Sequence, residues 1–204
     1  MSNSNIRPVE YFLFRNYSVA VRDWLRRTVY LSSYPIDNNV TVAFMTPERA
    51  FTRFIFPTLN GNTTTPNVSF HLSGMEYVPE NSLGFVKDFV GPENDKFKVL
   101  DPPLVYRLTY SVTIYTRSAP EMDVLLYQIL SKTSLNKKAT LFVDGQWVEI
   151  HSSDPTNDTT LEPAERQDVI HRWGLELTIP RAYLPVGGVE AEVITSVPEF
   201  DLDV

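Results

Sequence analysis

Residues 106–116 read Tyr106-Arg-Leu-Thr-Tyr-Ser-Val-Thr-Ile-Tyr-Thr116, and their side chains alternate between two kinds. The even positions from Tyr106 to Ile114 are all apolar or aromatic, whereas most of the odd positions are polar. This period of two is typical of a strand that has one buried and one wetter face. At about 3.3 Å per residue the stretch spans roughly 36 Å, which is longer than most strands. The pattern therefore predicts a long strand of the central sheet.

A helix is predicted directly after this strand. Ser118-Ala-Pro-Glu121 has the spacing of a capping box, with a proline inside the first helical turn. Apolar residues then recur at helical spacing, namely Met122, Leu125, Leu126, Ile129 and Leu130. We expect a helix over residues 120–131 that packs on one face of the sheet.

A second alternating stretch of the same length covers residues 169–179. Because the two stretches match in length and alternation, we expect them to pair. One side of each strand should then be buried. The predicted buried residues are Leu108, Tyr110, Val112 and Ile114 in the first strand, and Trp173, Leu175, Leu177 and Ile179 in the second.

The remaining elements are shorter or less regular. The sequence predicts a helix at 10–29, a strand at 39–45 with Val40, Val42 and Phe44 on one side, a short helix at 46–54, a strand at 68–72, a long loop at 79–103 and a hairpin at 140–150 around Asp144-Gly145. The predicted fold is an α+β single domain, residues 1–188. It has a central, largely antiparallel sheet of long strands, two or three flanking helices and long loops. Residues 189–204 are predicted to form an acidic C-terminal arm that is poorly ordered.

Composition and charge exclude several functional classes. The net charge of −7 argues against a nucleic-acid binder, because contacts to phosphates need clustered Lys and Arg. No apolar run approaches the roughly 20 residues of a membrane span, and the first residues do not resemble a signal peptide. The absence of cysteine excludes disulfides and thiolate metal sites. We therefore expect neither direct nucleic-acid readout nor membrane insertion.

No catalytic or metal-binding motif emerges. His71, His151 and His171 lie far apart and have no metal-ligand spacing; His171 is expected in the core and the other two in solvent. Ser134-Leu-Asn-Lys137 matches the SxxK pattern but lacks the companion elements of that enzyme class. We predict that the protein is not an enzyme and uses no cofactor or metal.

Charge and aromatic content instead favour an assembly role. Residues 1–53 hold seven Arg against four acidic residues, whereas residues 185–204 hold five acidic residues and no Lys or Arg. The C-terminal segment is either a solvated tail or an arm that docks on a basic face of a neighbouring subunit. The predicted interface residues are Tyr11, Phe12 and Phe14, with Arg22, Arg26 and Arg27, and Phe200, Asp201 and Asp203 in the arm.

The order of these elements resembles the tail sheath stabiliser and completion proteins of contractile-tailed bacteriophages, also called tail terminators. The resemblance is carried first by the strand that ends in Tyr115-Thr116-Arg117 and runs into the helix Glu121–Leu130. Three further stretches are similar: the helix with Tyr11-Phe12, Phe14-Arg15 and Tyr17, the strand and short helix of Val40–Phe54, and the stretch from Arg166 through Arg172-Trp173 to Pro185. Together they cover most of residues 10–185.

The resemblance implies a structural virion protein with no catalytic residues. Such a protein forms a ring, expected to be a hexamer, at the head-proximal end of a contractile tail. It ends tube and sheath polymerisation and joins the tail to the neck. The implied partners are copies of itself, the tail tube protein, the tail sheath protein and a neck or head-completion protein. The implied location is the tail–neck junction of the virion, after assembly in the host cytoplasm.

An alternative from a different class also fits the residues. A carbohydrate- or host-binding β-rich module of a phage particle would use exposed aromatic side chains to stack on sugars. A ring requires a discrete oligomer, whereas a carbohydrate-binding module requires a ligand. The oligomeric state therefore discriminates the two.

Overall fold

The computed structural model describes residues 14–31, 40–55, 66–79, 89–93, 96–99, 104–133, 139–159, 170–184 and 189–192. Three α-helices occur in this part of the chain: α1 (Arg15–Thr28), α2 (Pro47–Ala50) and α3 (Ala119–Thr133). A π-helical turn, Phe51–Ile55, follows α2. Ten strands accompany them: β1 (Thr41–Phe44), β2 (Asn67–Tyr77), β3 (Phe89–Glu93), β4 (Lys96–Val99), β5 (Leu104–Thr116), β6 (Ala139–Val143), β7 (Gln146–Ser152), β8 (Thr156–Asn157), β9 (His171–Leu184) and β10 (Val189–Glu192). The α+β class expected from the sequence is confirmed.

The chain separates into two compact units. The larger unit comprises residues 1–76 and 106–182, and the smaller one residues 77–105 and 183–204. In the larger unit the strands follow the order β1-β2-β5-β9-β7-β6, and β8 also pairs with β9. Strand β7 pairs antiparallel with both β6 and β9, and β8 pairs antiparallel with β9, whereas β1 runs parallel to β2.

The two long strands lie side by side, as predicted from their alternation, because β5 and β9 are neighbours in the sheet. Leu108, Tyr110, Val112 and Ile114 are all fully buried. On β9, Leu175, Leu177 and Ile179 are buried as expected. Trp173 is only half-buried, so its assignment to the core was wrong. It lies opposite Asn157 of the two-residue strand β8.

Helix α3 begins where the capping pattern predicts. The backbone N–H of Glu121 donates to Ser118 Oγ at 3.4 Å, and the buried face of the helix carries Met122, Leu125, Leu126 and Ile129. At its other end α3 meets the end of α1. Gln128 bonds both backbone groups of Tyr30, each at 2.9 Å, through its amide oxygen and nitrogen. This paired bond satisfies the backbone just past the C-terminus of α1.

The hairpin predicted around Asp144-Gly145 is also present. Both turn residues have positive φ, 50° at Asp144 and 83° at Gly145, as a type I′ turn requires. The register places Val143 opposite Gln146 and Phe142 opposite Trp147. Strand β6 is one edge of the larger sheet, and β1 is the other.

Several predicted boundaries change. The described part of α1 begins at Arg15, and residues 10–13 of the predicted helix lie outside the described residues. Val42 is buried, but Phe44 on the same predicted side is 53% exposed, because β1 is an edge strand that ends at Phe44. Phe44 instead packs edge-on against Phe70, with ring centroids 5.3 Å apart.

The smaller unit corrects the predicted loop at 79–103 and the start of the acidic arm. It contains a three-stranded antiparallel sheet in the order β10-β4-β3. Strands β3 and β4 both fall within the predicted loop. Strand β10 falls within the predicted arm, because its backbone pairs with β4 from Val189 opposite Val99 to Glu192 opposite Lys96. Residues 193–204 lie outside the described residues.

Candidate assembly surfaces

The aromatic residues predicted as an interface divide into two groups. Tyr11 and Phe12 lie outside the described residues. Phe14 is buried within its own unit and packs edge-on against Tyr106, with ring centroids 5.7 Å apart. The structure thus contradicts the assignment of Phe14 to a surface, because its burial against β5 satisfies the apolar side chain inside the subunit.

The predicted arginines lie on α1 and are partly accessible. Arg22 donates from Nε to Asp23 Oδ1 at 2.9 Å, and its second contact to that carboxylate is also 2.9 Å. Arg27 Nε donates to the backbone oxygen of Asp23 at 3.1 Å, and Arg26 is exposed. The arm residues expected opposite them, Phe200, Asp201 and Asp203, lie outside the described residues. The proposed docking of arm on helix remains a prediction.

An exposed pair of aromatic residues lies on the β6–β7 hairpin. Trp147 is 70% exposed and Phe142 is 58% exposed. Their rings lie 5.1 Å apart between centroids at 54°. The inward side of the same hairpin is filled by Leu141, Val143, Val148 and Ile150. The two aromatic rings therefore stand together on the outer face of an edge hairpin.

The sequence contained the signal for this pair. A two-residue Asp-Gly turn fixes Val143 opposite Gln146, so position 142 must face position 147 across the hairpin. Once the alternating residues Leu141, Val143 and Val148 are assigned to the core, Phe142 and Trp147 must point the other way.

A concavity lies near the other edge strand. An open depression of about 500 Å³ is lined by Phe44, Met45, Glu48, Arg49, Thr52 and Arg53, where β1 leads into α2. Beneath it, Met45 packs on the buried pair Ala50 and Tyr115, and the Tyr115 hydroxyl donates to the Pro47 backbone oxygen at 3.4 Å. The depression is therefore supported by the end of β5.

The charge around the depression is mixed but includes two guanidinium groups. The backbone N–H of Glu48 and the Thr46 hydroxyl hold the pKa of the Glu48 carboxyl below its usual range. Glu48 is thus an anion at neutral pH, beside Arg49 and Arg53. The lining combines one carboxylate and two guanidinium groups with the apolar side chains of Phe44 and Met45.

A third exposed apolar group belongs to α3 and the segment after α1. Tyr127 is 73% exposed, Tyr30 54% and Val124 44%. None of the three was assigned to an interface from the sequence, because Tyr127 and Val124 lie outside the helical stripe that the periodicity picked out. The Gln128–Tyr30 backbone bonds fix this region within the larger unit.

The histidines lie on three different strands, and none is deeply buried. His71 on β2 and His171 at the start of β9 are half-buried, so the expected core position of His171 was wrong. His151 lies 3.5 Å from Glu149. Over the described ranges, no three His, Asp or Glu side chains group closely enough to hold a metal ion.

Among the helices that the structure describes, none is both long and apolar enough to cross a bilayer.

Comparisons with known proteins give structural likenesses alone. No family model matches the chain, and no curated protein matches it. The sheath/tube terminator of PVC, an extracellular contractile injection system, in its extended state matches with a TM-score of 0.48 at 14% identity. The match covers 89% of this chain and 60% of that one. The tube-terminating cap of the anti-feeding prophage (AFP) matches with a TM-score of 0.43 at 13% identity, over 89% of this chain and 58% of that chain. The chain thus spans about three fifths of the length of each solved structure.

Proposed function

We propose that the chain is a ring-forming tail terminator that ends tube and sheath growth at the head-proximal end of a contractile tail and joins the tail to the neck. The observation that carries the proposal is the β5–α3 unit. Strand β5 and helix α3, whose sequences resemble those of the tail terminators, follow one another directly along the chain. Strand β5 lies in the interior of the larger sheet. The resemblance therefore rests on the framework of the fold and not on a peripheral segment.

Exposed apolar side chains give the proposal a second support. In the larger unit they cluster at the β6–β7 hairpin and on α3, and Phe44 and Phe51 add others beside the concavity. A subunit that uses several faces for assembly needs such groups on each face, because the buried centres of stable interfaces are apolar. A ring subunit has two neighbours in the ring and further partners above and below it.

Size-exclusion chromatography with light scattering tests the ring. Six copies of a 23.3 kDa chain have a mass of about 140 kDa. We expect the pure protein, or the protein bound to purified tails, to form one discrete oligomer near that mass. Addition to tails that lack a terminator should stop further tube growth. A monomer at every concentration, both free and on tails, would contradict the proposal.

The exposed Phe142–Trp147 pair favours a second candidate, a carbohydrate-binding module. Aromatic rings that stack on sugars work best as a flat platform, whereas these rings are inclined at 54° to one another. A glycan array with the pure protein distinguishes the candidates, since a monomer that binds a defined glycan through Trp147 would support the module.

The terminator role requires no enzymatic turnover. Hydrolysis of peptidoglycan or polysaccharide by the pure protein would argue against it.

A further inference from the structure

The hairpin and the concavity lie at opposite ends of the larger unit, measured along β5. Phe14, near the hairpin end, packs on Tyr106, and the neighbouring Asn16 donates to the hairpin residue Asp144 at 2.7 Å. At the other end, Tyr115 donates to the backbone of Pro47 beneath the concavity. Nine residues of strand separate Tyr106 from Tyr115, about 30 Å at strand rise. The hairpin of one subunit therefore does not reach its own concavity.

The two surfaces complement one another in shape and chemistry. The hairpin projects two aromatic rings, and the concavity offers about 500 Å³ with Phe44 and Met45 in its lining. The hairpin carries the carboxylates of Asp144 and Glu149, whereas the lining of the concavity holds two arginines and one carboxylate, that of Glu48, and is net positive. A guanidinium such as that of Arg49 also interacts favourably with the face of an indole ring.

We propose that Phe142 and Trp147 of one subunit insert into the concavity between Phe44 and Arg53 of a second copy of this chain. This inference rests on the proposed ring function and names the contact that builds the ring. Because the projecting surface and the receiving surface differ, the contact is head-to-tail, and it generates a ring when the rotation between subunits closes. Each subunit then uses its hairpin on one neighbour and its concavity on the other.

Cysteine cross-linking tests the pairing directly, since the chain has no native cysteine. Gln146→Cys places a thiol beside the aromatic pair without altering it, and Thr52→Cys places one in the lining of the concavity. With a short bismaleimide, a mixture of the two single variants should give a covalent dimer that neither variant gives alone. The double variant should give a ladder that ends at the subunit number of the ring.

Three results would overturn the contact. Self-cross-linking of the Gln146→Cys protein alone would indicate that two hairpins face each other. Absence of cross-links in rings that light scattering shows to be intact would exclude the contact while leaving the ring function standing. A protein that is monomeric throughout would defeat the ring function and this contact together.

A matched pair of substitutions measures the energy of the contact. Trp147 and Tyr127 are almost equally exposed, at 70% and 73%, so neither substitution should disturb folding. We expect Trp147→Ser to raise the concentration for half-assembly roughly thirtyfold or more, as for a central aromatic anchor. Tyr127→Ser should leave it within about twofold. Equal effects of the two substitutions, or none from Trp147→Ser in proteins with unchanged circular dichroism, would contradict the proposal.

Discussion

Tyr110 places a phenol in the middle of the core. Its ring is fully buried, and its hydroxyl has Ser18 Oγ at 3.2 Å. Burial raises the pKa of Tyr110 to about 12 against the opposing effect of the Ser18 hydrogen bond, and burial also raises the pKa of Tyr115. Both side chains are therefore held in their neutral form by the folded subunit.

This burial predicts a loss of stability at high pH. The unfolded chain releases the Tyr110 proton near pH 10, whereas the folded chain retains it to about pH 12. Between pH 10 and 12, loss of the Tyr110 proton therefore stabilises the unfolded state but not the folded state. The free energy of unfolding should accordingly fall as the pH rises through this range. The fall attributable to Tyr110 is at most about 3 kcal/mol, at 1.4 kcal/mol for each tenfold change in proton affinity. Urea unfolding at pH 8, 10 and 11.5 measures it.

Tyr110→Phe is the control for that window. The variant loses the hydrogen bond to Ser18, which should cost about 1 kcal/mol at pH 8. It should then show a smaller decline above pH 10 than the parent protein. If the parent and the variant decline equally, the titration of Tyr110 does not contribute to the alkaline loss.

At the scale of elements, the type I′ turn of the β6–β7 hairpin makes a direct prediction. Gly145 has a φ of 83°, where a Cβ is strained even though no atom lies within 4 Å to clash with it. We expect Gly145→Ala to lower the free energy of unfolding by about 1–2 kcal/mol. Gly74 on β2 serves as the control, because a Cβ there meets Thr109 at an ordinary 3.5 Å. Equal losses for both variants in chemical denaturation would show that backbone strain at the turn is not the cause.

The elements that the sequence predicted well are those whose pattern is local. Alternation placed β5, β9 and the hairpin, and the Ser118 spacing placed the start of α3, because each depends on residues a few positions apart. Strand β3 was missed because Gly91 and Pro92 interrupt it, which reads as a loop. The structure accommodates Pro92 since β3 is an edge strand, where a missing N–H need not break a ladder.

The candidate interface was harder to predict, for a physical reason. The periodicity of a sequence predicts which side chains share a face of a strand or helix. Whether that face is exposed depends on which other elements of the fold pack against it. From the sequence, Phe14 is predicted to be an aromatic residue of the interface, but in the fold it packs against Tyr106 of β5. The hairpin pattern places Trp147 on the face opposite to Val148, but only the fold shows that this face is exposed.

At the scale of the whole molecule, the segment predicted as a single acidic arm, residues 189–204, has two parts. Residues 189–192 form β10, so the truncation point that charge alone suggests, before residue 189, would remove a strand of the smaller sheet. Residues 193–204 contain Glu199, Asp201 and Asp203 and no Lys or Arg.

Two truncations separate a structural role from an assembly role. Deleting residues 189–204 removes the partner of β4 and should lower the thermal stability of the subunit, because the backbone groups of β4 lose a paired neighbour. Deleting residues 193–204 keeps β10 and should leave the midpoint of thermal unfolding unchanged.

If the three carboxylates of residues 193–204 dock on Arg22, Arg26 and Arg27 of a neighbour, the shorter deletion should nevertheless weaken ring formation or tail attachment. Since such contacts are screened by salt, the deficit should shrink between 0.05 M and 0.5 M salt, where the screening length falls from roughly 14 to 4 Å. Full assembly by the shorter truncation at low salt would show that these residues only add solvated charge.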